Sequence, residues 1–263
     1  MAQLKSFVSI GAGNVATHLV KSLCRSGYHL LQVYSRTSGS SRYLAGNFKA
    51  ESTTSVSEIN PDADFYLVSL PDSVLPDFLK EFNIQNKLIF HTAGSLGLEV
   101  FGNKYPYSAV LYPLQTFSRI IDLKLDDTPL LIEASNEKAL VEIKKIAKSI
   151  SSEIYSTDAE TRRWIHLAGV FACNFTNHMF AASSEILKSK NLDPALLKPL
   201  INETFRKSQI ADPLLVQTGP AIRNDINTME RHFKMLENLP FLQKIYTFTS
   251  QSILFSKSWL KNI

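Results

Sequence analysis

A glycine-rich turn near the start of the chain has the residue types and the spacing of a phosphate-binding site. Gly11, Gly13 and Ala16 form the pattern G-x-G-x-x-A, between a short apolar run and a segment of helical period. Gly11 permits a tight turn, Gly13 lets a phosphate approach the backbone, and Ala16 lets the helix pack closely on a sheet. Free N–H groups at the start of that helix, around Asn14 and Val15, favour the pyrophosphate of a dinucleotide. We therefore predict dinucleotide binding here rather than a glycine turn without a ligand.

The end of the second predicted strand indicates which dinucleotide is bound. An NAD-specific site usually has an acidic residue there, whereas Ser35, Arg36 and Thr37 follow this strand. A guanidinium flanked by hydroxyls suits a 2′-phosphate, because the charge-assisted contact is often bidentate. We predict NADP(H) rather than NAD(H) as the cofactor. The alternative is an ordinary solvated loop.

Two further strands end in small or polar residues. The apolar runs 63–70 and 87–92 are both followed by such residues. The carboxyl ends of parallel strands meet at one edge of a sheet, where ligands of open α/β sheets bind. We assign five residues of these strand ends to the cofactor site: Leu70, Pro71, Asp72, Thr92 and Gly94.

The order of elements predicts an α/β protein with two domains. Strands and helices alternate through the first half of the chain, and nearly every segment after about residue 158 has a helical period. We predict a Rossmann-type, doubly wound, mostly parallel sheet over residues 1–156, followed by an all-helical domain over 157–263. The active site is then expected in the cleft between the two domains.

Composition excludes several classes of protein. The chain has 263 residues, 44% of them hydrophobic, with a net charge of +4 that is spread along the sequence. We expect no nucleic-acid partner, and no apolar run approaches the roughly 18 residues of a membrane span. A strand begins within a few residues of the start, so we expect a cytoplasmic protein. Cys24 and Cys173 lie far apart and predict neither a disulfide framework nor a metal site; both are expected in the core.

A polar stripe on an otherwise apolar helix is the candidate catalytic element. His166 and Asn177 are eleven residues apart, which on an α-helix puts them within about 20° of each other. Asn174 and His178 are one turn apart and project together. We predict His166, Asn174 and His178 as catalytic residues, with a histidine donating a proton and Asn174 orienting a carbonyl or carboxylate, and Asn177 as a substrate ligand. The helix is expected to be largely buried, so the alternative is a set of satisfied core polar groups or a packing interface.

A second candidate segment lies near residue 220. Pro220 is a favourable first residue of a helix, and Arg223 can clamp a carboxylate. Asp225 and His232 are seven residues apart, within about 20° on a continuing helix, which places Asp225 to pair with or orient His232. We predict Arg223 and Asp225 as substrate-binding residues, the alternative being a capped helix start with surface ion pairs.

Six segments together resemble a bacterial family of NADP oxidoreductases. They are residues 11–16, 70–72, 91–95, 112–118, 166–178 and 218–225. The resemblance covers nearly the whole chain, and it implies a Rossmann-like domain, NADP as cofactor, a helical domain of unknown function, and a homodimer formed through that helical domain. More remotely, the architecture resembles the superfamily of pyrroline-5-carboxylate reductase, ketopantoate reductase and 6-phosphogluconate dehydrogenase.

The chain departs from several members of that superfamily in the candidate helix. Those relatives carry a lysine one turn from an asparagine, whereas Val170 stands one turn before Asn174 here. A proton must then come from a histidine, from Asp72 or through water. Two functions remain open. One is an NADP(H)-dependent oxidoreductase of a small, anionic carbonyl, imine or hydroxy compound, favoured by the polar stripe; the other is a non-catalytic NADP-binding sensor, favoured by the missing lysine.

The last helix agrees with the implied dimer. It is crowded with aromatic and apolar residues that could cover a partner, although a monomer could use them as core. They are Phe241, Leu242, Tyr246, Phe248, Leu254, Phe255 and Trp259.

Overall fold

A computed structural model describes residues 5–256 and 258, so Trp259 lies outside the described residues. The chain divides into two compact units, Met1–Asn174 and Phe175–Ile263. Within the described residues, no helix combines the length and the apolar character that crossing a membrane requires.

The first unit contains an eight-stranded sheet in its described part. The strand order is β3-β2-β1-β4-β5-β6-β7-β8. Neighbouring strands are parallel except β6 and β7, which are antiparallel. The strands are β1 Ser6–Ile10, β2 His29–Tyr34, β3 Glu51–Thr53, β4 Phe65–Val68, β5 Leu88–His91, β6 Ser108–Pro113, β7 Leu130–Ala134 and β8 Ile154–Ser156. The predicted Rossmann-type, doubly wound and mostly parallel sheet is confirmed.

The core of this unit lies on the two faces of the sheet. Every residue of β4 and β5 is buried, as expected for central parallel strands covered on both sides. Phe65 stacks between Phe7 and Phe90, with ring centroids 5.2 and 5.8 Å away. The continuous apolar runs that predicted these strands therefore form the centre of the sheet.

Helices lie between and after the strands of the first unit. They are α1 Asn14–Arg25, α2 Ser38–Gly46, α3 Leu75–Glu81, α4 Glu137–Lys148 and α5 Ala159–Gly169, with 3₁₀ turns at Val56–Glu58 and Leu98–Lys104. The side chains of Asn136 and Asp158 cap α4 and α5 by accepting backbone N–H groups. A π-helical segment, Val170–Phe175, follows α5.

The second unit is helix-rich. It contains α6 Thr176–Lys188, a 3₁₀ turn Pro194–Leu197, α7 Lys198–Ile210, α8 Pro220–Arg223, α9 Ile226–Met235 and α10 Pro240–Ser256. Pro194 and Pro220 are the first residues of the 3₁₀ turn and of α8, and Pro213 lies between α7 and α8.

The predicted burial of the candidate helix is wrong for the single chain. Leu167, Phe171 and Met179 are 46%, 63% and 39% exposed. Cys173, also expected in the core, is exposed, whereas Cys24 is partly buried. Among the described residues of the second unit, only Ala221, Leu236 and Ser256 are buried. Periodicity correctly identified helices with apolar residues, but within a single chain many of these side chains remain exposed to solvent.

Candidate functional site

The glycine turn lies between β1 and α1 and has the form of a phosphate cradle. Gly11 has φ +111°, and a Cβ there would lie 2.2 Å from the carbonyl oxygen of Ser69, so only glycine fits. A Cβ at Gly13 would meet nothing within 4 Å. Gly13 is also the N-cap of α1, contributes no capping side chain, and is followed by no acidic residue in the first turn. The first N–H groups of α1 therefore lack intrahelical partners and fit the pyrophosphate of a dinucleotide.

The end of β2 lies beside this turn. The N–H of Gly11 donates to the carbonyl oxygen of Tyr34, the last residue of β2, at 2.8 Å. Ser35, Arg36 and Thr37 follow directly, and Arg36 and Thr37 are exposed. Arg36 makes no ion pair with the described carboxylates. Its free guanidinium fits the 2′-phosphate that distinguishes NADP from NAD.

A cleft of about 1000 Å³ opens at this edge of the sheet, and all its lining residues belong to the first unit. Its walls are the glycine turn, the ends of β4, β5 and β6 with the segment after β6, and the face of α5 with the π-helical segment. Ten of the predicted site residues line it: Gly13, Asn14, Val15, Leu70, Pro71, Asp72, Thr92, Gly94, His166 and Asn174. Strands far apart in sequence thus bring the cofactor-binding and catalytic candidates of this unit together.

Tyr112 and His166 form a hydrogen-bonded pair in this cleft. The Tyr112 hydroxyl lies 2.8 Å from Nδ1 of His166, and the two rings meet edge to face at 5.6 Å. Both rings pack on the backbone of Gly94, because a Cβ there would lie 2.7 Å from Nδ1 and 3.0 Å from the tyrosine ring. Sequence reasoning missed Tyr112, although it stands at a strand end, the same signal that identified Asp72 and Thr92.

The environment of Tyr112 keeps its phenol protonated. Burial raises the pKa of Tyr112 above its usual value, and the nearby Asp72 carboxylate raises it further, while Arg162 opposes them. Asp72 itself accepts a hydrogen bond from the hydroxyl of Ser95. The cleft therefore holds a neutral phenol close to a carboxylate.

Arginine side chains fix α5 against the sheet. Arg162 is fully buried, pairs with Glu133 at 2.7 Å and donates to the carbonyl oxygen of Leu96 at 2.6 Å. Arg163 donates to the carbonyl oxygen of Ser95 at 2.8 Å. These contacts connect α5 to the loop after β5, and thereby hold His166 over the strand ends.

His91, at the end of β5, is a structural residue. Its Nδ1 accepts the N–H of Ala93 at 3.1 Å, so Nε2 carries the proton and donates to the carbonyl oxygen of Gly97 at 3.2 Å. Burial lowers the pKa of His91 to about 4. The ring therefore stays neutral at physiological pH, and it is absent from the cleft lining.

The π-helical segment brings His166 and Asn174 to one face. A π-turn, with its i→i+5 hydrogen bond, contains one residue more than an α-turn. The eight steps along the chain from His166 to Asn174 therefore turn about the helix axis by about as much as seven steps in an α-helix. The two side chains are then about 20° apart instead of about 80°. Both line the cleft. The continuous α-helix assumed for the stripe is thus wrong, because an α-period cannot reveal a π-turn.

The remaining predicted residues belong to the second unit. Asn177 and His178 lie in α6 and Arg223 ends α8, and their roles in substrate binding and catalysis stay predictions. Asp225 caps α9 by accepting the N–H of Thr228 at 3.1 Å, and hydrogen bonds from Thr228 lower its pKa.

The predicted pairing of Asp225 with His232 is wrong. Nδ1 of His232 instead lies 3.0 Å from the hydroxyl of Tyr246. Two residues that are seven positions apart on an α-helix share a face, but they are separated by roughly 10 Å along the axis, which is too far for a hydrogen bond.

Comparison with protein families identifies both parts of the chain. Residues 7–93 match the family described as NADP oxidoreductase, coenzyme F420-dependent. Residues 128–253 match a domain of unknown function, DUF2520. No curated protein matches the chain.

Solved structures extend the match to nearly the whole chain. A structure described as a putative NADP oxidoreductase from Bacteroides fragilis is 43% identical, with a TM-score of 0.90 over 95% of this chain and 98% of that one. Pyrroline-5-carboxylate reductase from Streptococcus pyogenes, at 10% identity and TM-score 0.59, shares the fold over 95% of this chain and 98% of its own. An imine reductase from Myxococcus stipitatus in complex with NADP⁺ is 13% identical, with a TM-score of 0.62 over 96% and 94% of the two chains. With this identity and coverage, and a glycine turn that fits its cofactor, the chain belongs to the family of NADP-dependent oxidoreductases that includes the Bacteroides fragilis protein.

Proposed function

We propose that the protein reduces a small carbonyl or imine compound, or oxidises the corresponding hydroxy compound or amine, with NADP(H) in the cleft of the first unit. The observation that carries this proposal is one continuous cleft that contains both the phosphate cradle and the Tyr112–His166 pair. A dinucleotide site and a proton donor in one cleft are what a reductase requires.

The residues of the cleft have separate roles in this reaction. When bound, reduced nicotinamide supplies a hydride to the electrophilic carbon of the substrate. If Nδ1–H of His166 donates to the oxygen of Tyr112, the phenol proton is directed to the substrate oxygen or nitrogen. The amide of Asn174, which lines the same cleft, orients the polar group of the substrate. Val170 replaces the lysine of other superfamily members, so Tyr112 and His166 take over the proton transfer.

The charge of the cleft narrows the class of substrate. Among its described lining residues, Asp72 is the acidic one, and there is no lysine or arginine. A carboxylate near the reacting atom stabilises the cation of a protonated imine and repels an anion. Within the range of carbonyl, imine and hydroxy compounds, the cleft therefore favours an imine. For an anionic substrate, Arg223 of the second unit stays the proposed clamp.

A non-catalytic NADP-binding sensor is the alternative function. A sensor needs the phosphate cradle and Arg36, but it has no use for a phenol and an imidazole that share a proton in the cleft. The Tyr112–His166 pair therefore favours the enzyme.

The cofactor preference tests the dinucleotide site directly. Arg36→Ala is expected to remove most of the preference for NADPH over NADH, because only NADPH carries the 2′-phosphate. Titration calorimetry with both dinucleotides measures this preference. Lys148→Ala, which removes an exposed cation from α4, is the matched control and keeps the preference. Equal affinities of the unmodified protein for NADPH and NADH would contradict the assignment of Arg36.

A homodimer through the helical unit is also part of the proposal. Phe241 and Phe248, seven residues apart on one face of α10, are 79% and 75% exposed, and Leu200 and Phe205 of α7 are 64% and 66% exposed. A unit that buries so few of its apolar side chains needs a permanent partner. A second copy of the chain is always available, and twofold homodimers are the commonest oligomers.

Light scattering in solution tests the dimer. We expect twice the chain mass of 29.5 kDa for the unmodified protein, and dissociation or precipitation of Phe248→Asp, because the charge would be buried at the interface. Tyr43→Asp changes an exposed aromatic residue of the first unit and is expected to remain dimeric. A monodisperse monomer of the unmodified protein would refute the dimer.

A further inference from the structure

The segment after β6 lies along α1 and forms one wall of the cleft. We call residues 114–122 the strap. Its first four residues, Leu114 to Phe117, line the cleft together with Gly13, Asn14 and Val15. None of the strap was assigned a role from the sequence.

Contacts with α1 and the glycine turn hold the strap in place. The carbonyl oxygen of Phe117 accepts from the side-chain amide of Asn14 at 3.1 Å. The carbonyl oxygen of Ser118 lies 3.0 Å from Nε2 of His18, a ring that is buried and packs against the Phe117 ring at 5.3 Å. Further along, the Asp122 carboxylate pairs with Lys21 at 3.0 Å and Arg25 at 3.3 Å. The strap is therefore anchored at both ends of its contact with α1.

These anchors place one guanidinium beside the phosphate cradle. Arg119 donates through Nη2 to the carbonyl oxygen of Ala12, which lies between the two glycines of the turn. That bond uses one of five N–H donors, and Arg119 is exposed. It forms no ion pair with the carboxylates of the described residues. A positive charge without a counter-ion thus stands next to the unpaired N–H groups of α1.

We propose that Arg119 is a ligand of the cofactor pyrophosphate, placed beside the glycine turn by the strap. The inference rests on the proposed function, since it takes the glycine turn as the dinucleotide site. A pyrophosphate at the start of α1 brings two negative charges to a site whose positive groups are backbone N–H groups and this guanidinium. Arg119 and Arg36 then have different roles. Arg119 binds the pyrophosphate, which NADP and NAD share, and Arg36 binds the 2′-phosphate, which only NADP has.

Titration calorimetry with NADPH and NADH tests this division. Arg119→Ala is expected to weaken both dinucleotides by a similar factor, about tenfold to hundredfold for one charge-assisted hydrogen bond. Arg119→Lys keeps the positive charge but not the planar guanidinium, and is expected to lose less dinucleotide affinity than Arg119→Ala. Binding of 2′-AMP, which has a 2′-phosphate and no pyrophosphate, should not change in Arg119→Ala.

A second variant separates ligation from the anchoring of the strap. Asp122→Asn removes the ion pairs with Lys21 and Arg25 without removing Arg119, and is expected to weaken dinucleotide binding much less. Equal losses of dinucleotide affinity in Asp122→Asn and Arg119→Ala would overturn the inference. Such a result would mean that affinity depends on how well the strap is held in place and not on a contact of Arg119 with the pyrophosphate. Unchanged NADPH and NADH affinities in Arg119→Ala would also overturn it, while leaving the proposed function intact. Failure of the unmodified protein to bind either dinucleotide would instead refute the proposed function itself.

Discussion

Gly13→Val is expected to abolish binding of both NADPH and NADH while leaving the protein folded. Gly13 has φ −78° and ψ −171°, which other residues adopt readily, and its Cβ position is free of protein atoms. A valine is therefore accommodated, but it fills the space through which a phosphate reaches the N–H groups of α1. Titration calorimetry measures the loss, and the thermal unfolding midpoint should remain close to that of the unmodified protein.

Two other glycines provide controls for this variant. Gly46→Val also places a Cβ in open space and is expected to keep dinucleotide binding. Gly11→Val is expected to destabilise the fold itself, since φ is +111° and the side chain would collide with the Ser69 carbonyl. A folded Gly13→Val protein that still binds NADPH would show that the pyrophosphate lies elsewhere.

Tyr112→Phe and His166→Ala are expected to lower turnover by about 10²- to 10⁴-fold, the usual contribution of a positioned proton donor. Their affinity for NADPH should change little, because neither residue belongs to the phosphate cradle. Asn174→Ala should behave in the same way if the amide orients the substrate. A panel of small imines and carbonyl acids, with the oxidation of NADPH followed by absorbance, supplies the assay.

The pH profile adds a readout that a purely structural role would not affect. Burial and Asp72 raise the pKa of Tyr112, so the phenol proton is retained at neutral and mildly alkaline pH. Ionisation of the phenol should lower the rate only above about pH 10, the usual pKa of tyrosine, and Tyr112→Phe should lack this alkaline limb. The exposed residues Tyr43 and His29 offer matched controls, Tyr43→Phe and His29→Ala. Unchanged kcat in both Tyr112→Phe and His166→Ala would refute the proposed proton transfer.

The sheet was predictable because burial on both faces leaves a simple pattern. β4 is a continuous apolar run, β5 is one up to its last residue, His91, and every residue of both strands is buried. β3 was missed because it has three residues, of which Glu51 and Ser52 are exposed. Short edge strands carry almost no apolar signal.

The grouping of the strand-end residues around one cleft was predictable for a related reason. The carboxyl ends of parallel strands share an edge, so Pro71, Asp72, Thr92 and Gly94 could be grouped before their distances were known. Arg119 could not be identified in this way, because its place depends on contacts between residues about a hundred positions apart in the chain.

The candidate helix that carries His166 and Asn174 shows where periodicity fails. His166 and Asn174 face one cleft only because a π-turn replaces an α-turn. Tyr112 becomes significant only when His166, 54 residues later, is placed against it. The predicted burial of α5 and α6 failed because periodicity tells which residues are apolar, but not which molecule covers them.

A crystal structure of the protein with NADPH tests the central claim most directly. We predict the pyrophosphate against the N–H groups of Asn14 and Val15, and the nicotinamide ring inside the cleft beside Tyr112 and His166, with room left for a small substrate. A dinucleotide bound away from the glycine turn, or a nicotinamide held outside the cleft and remote from the Tyr112–His166 pair, would contradict the assignment of this cleft as the active site of a reductase.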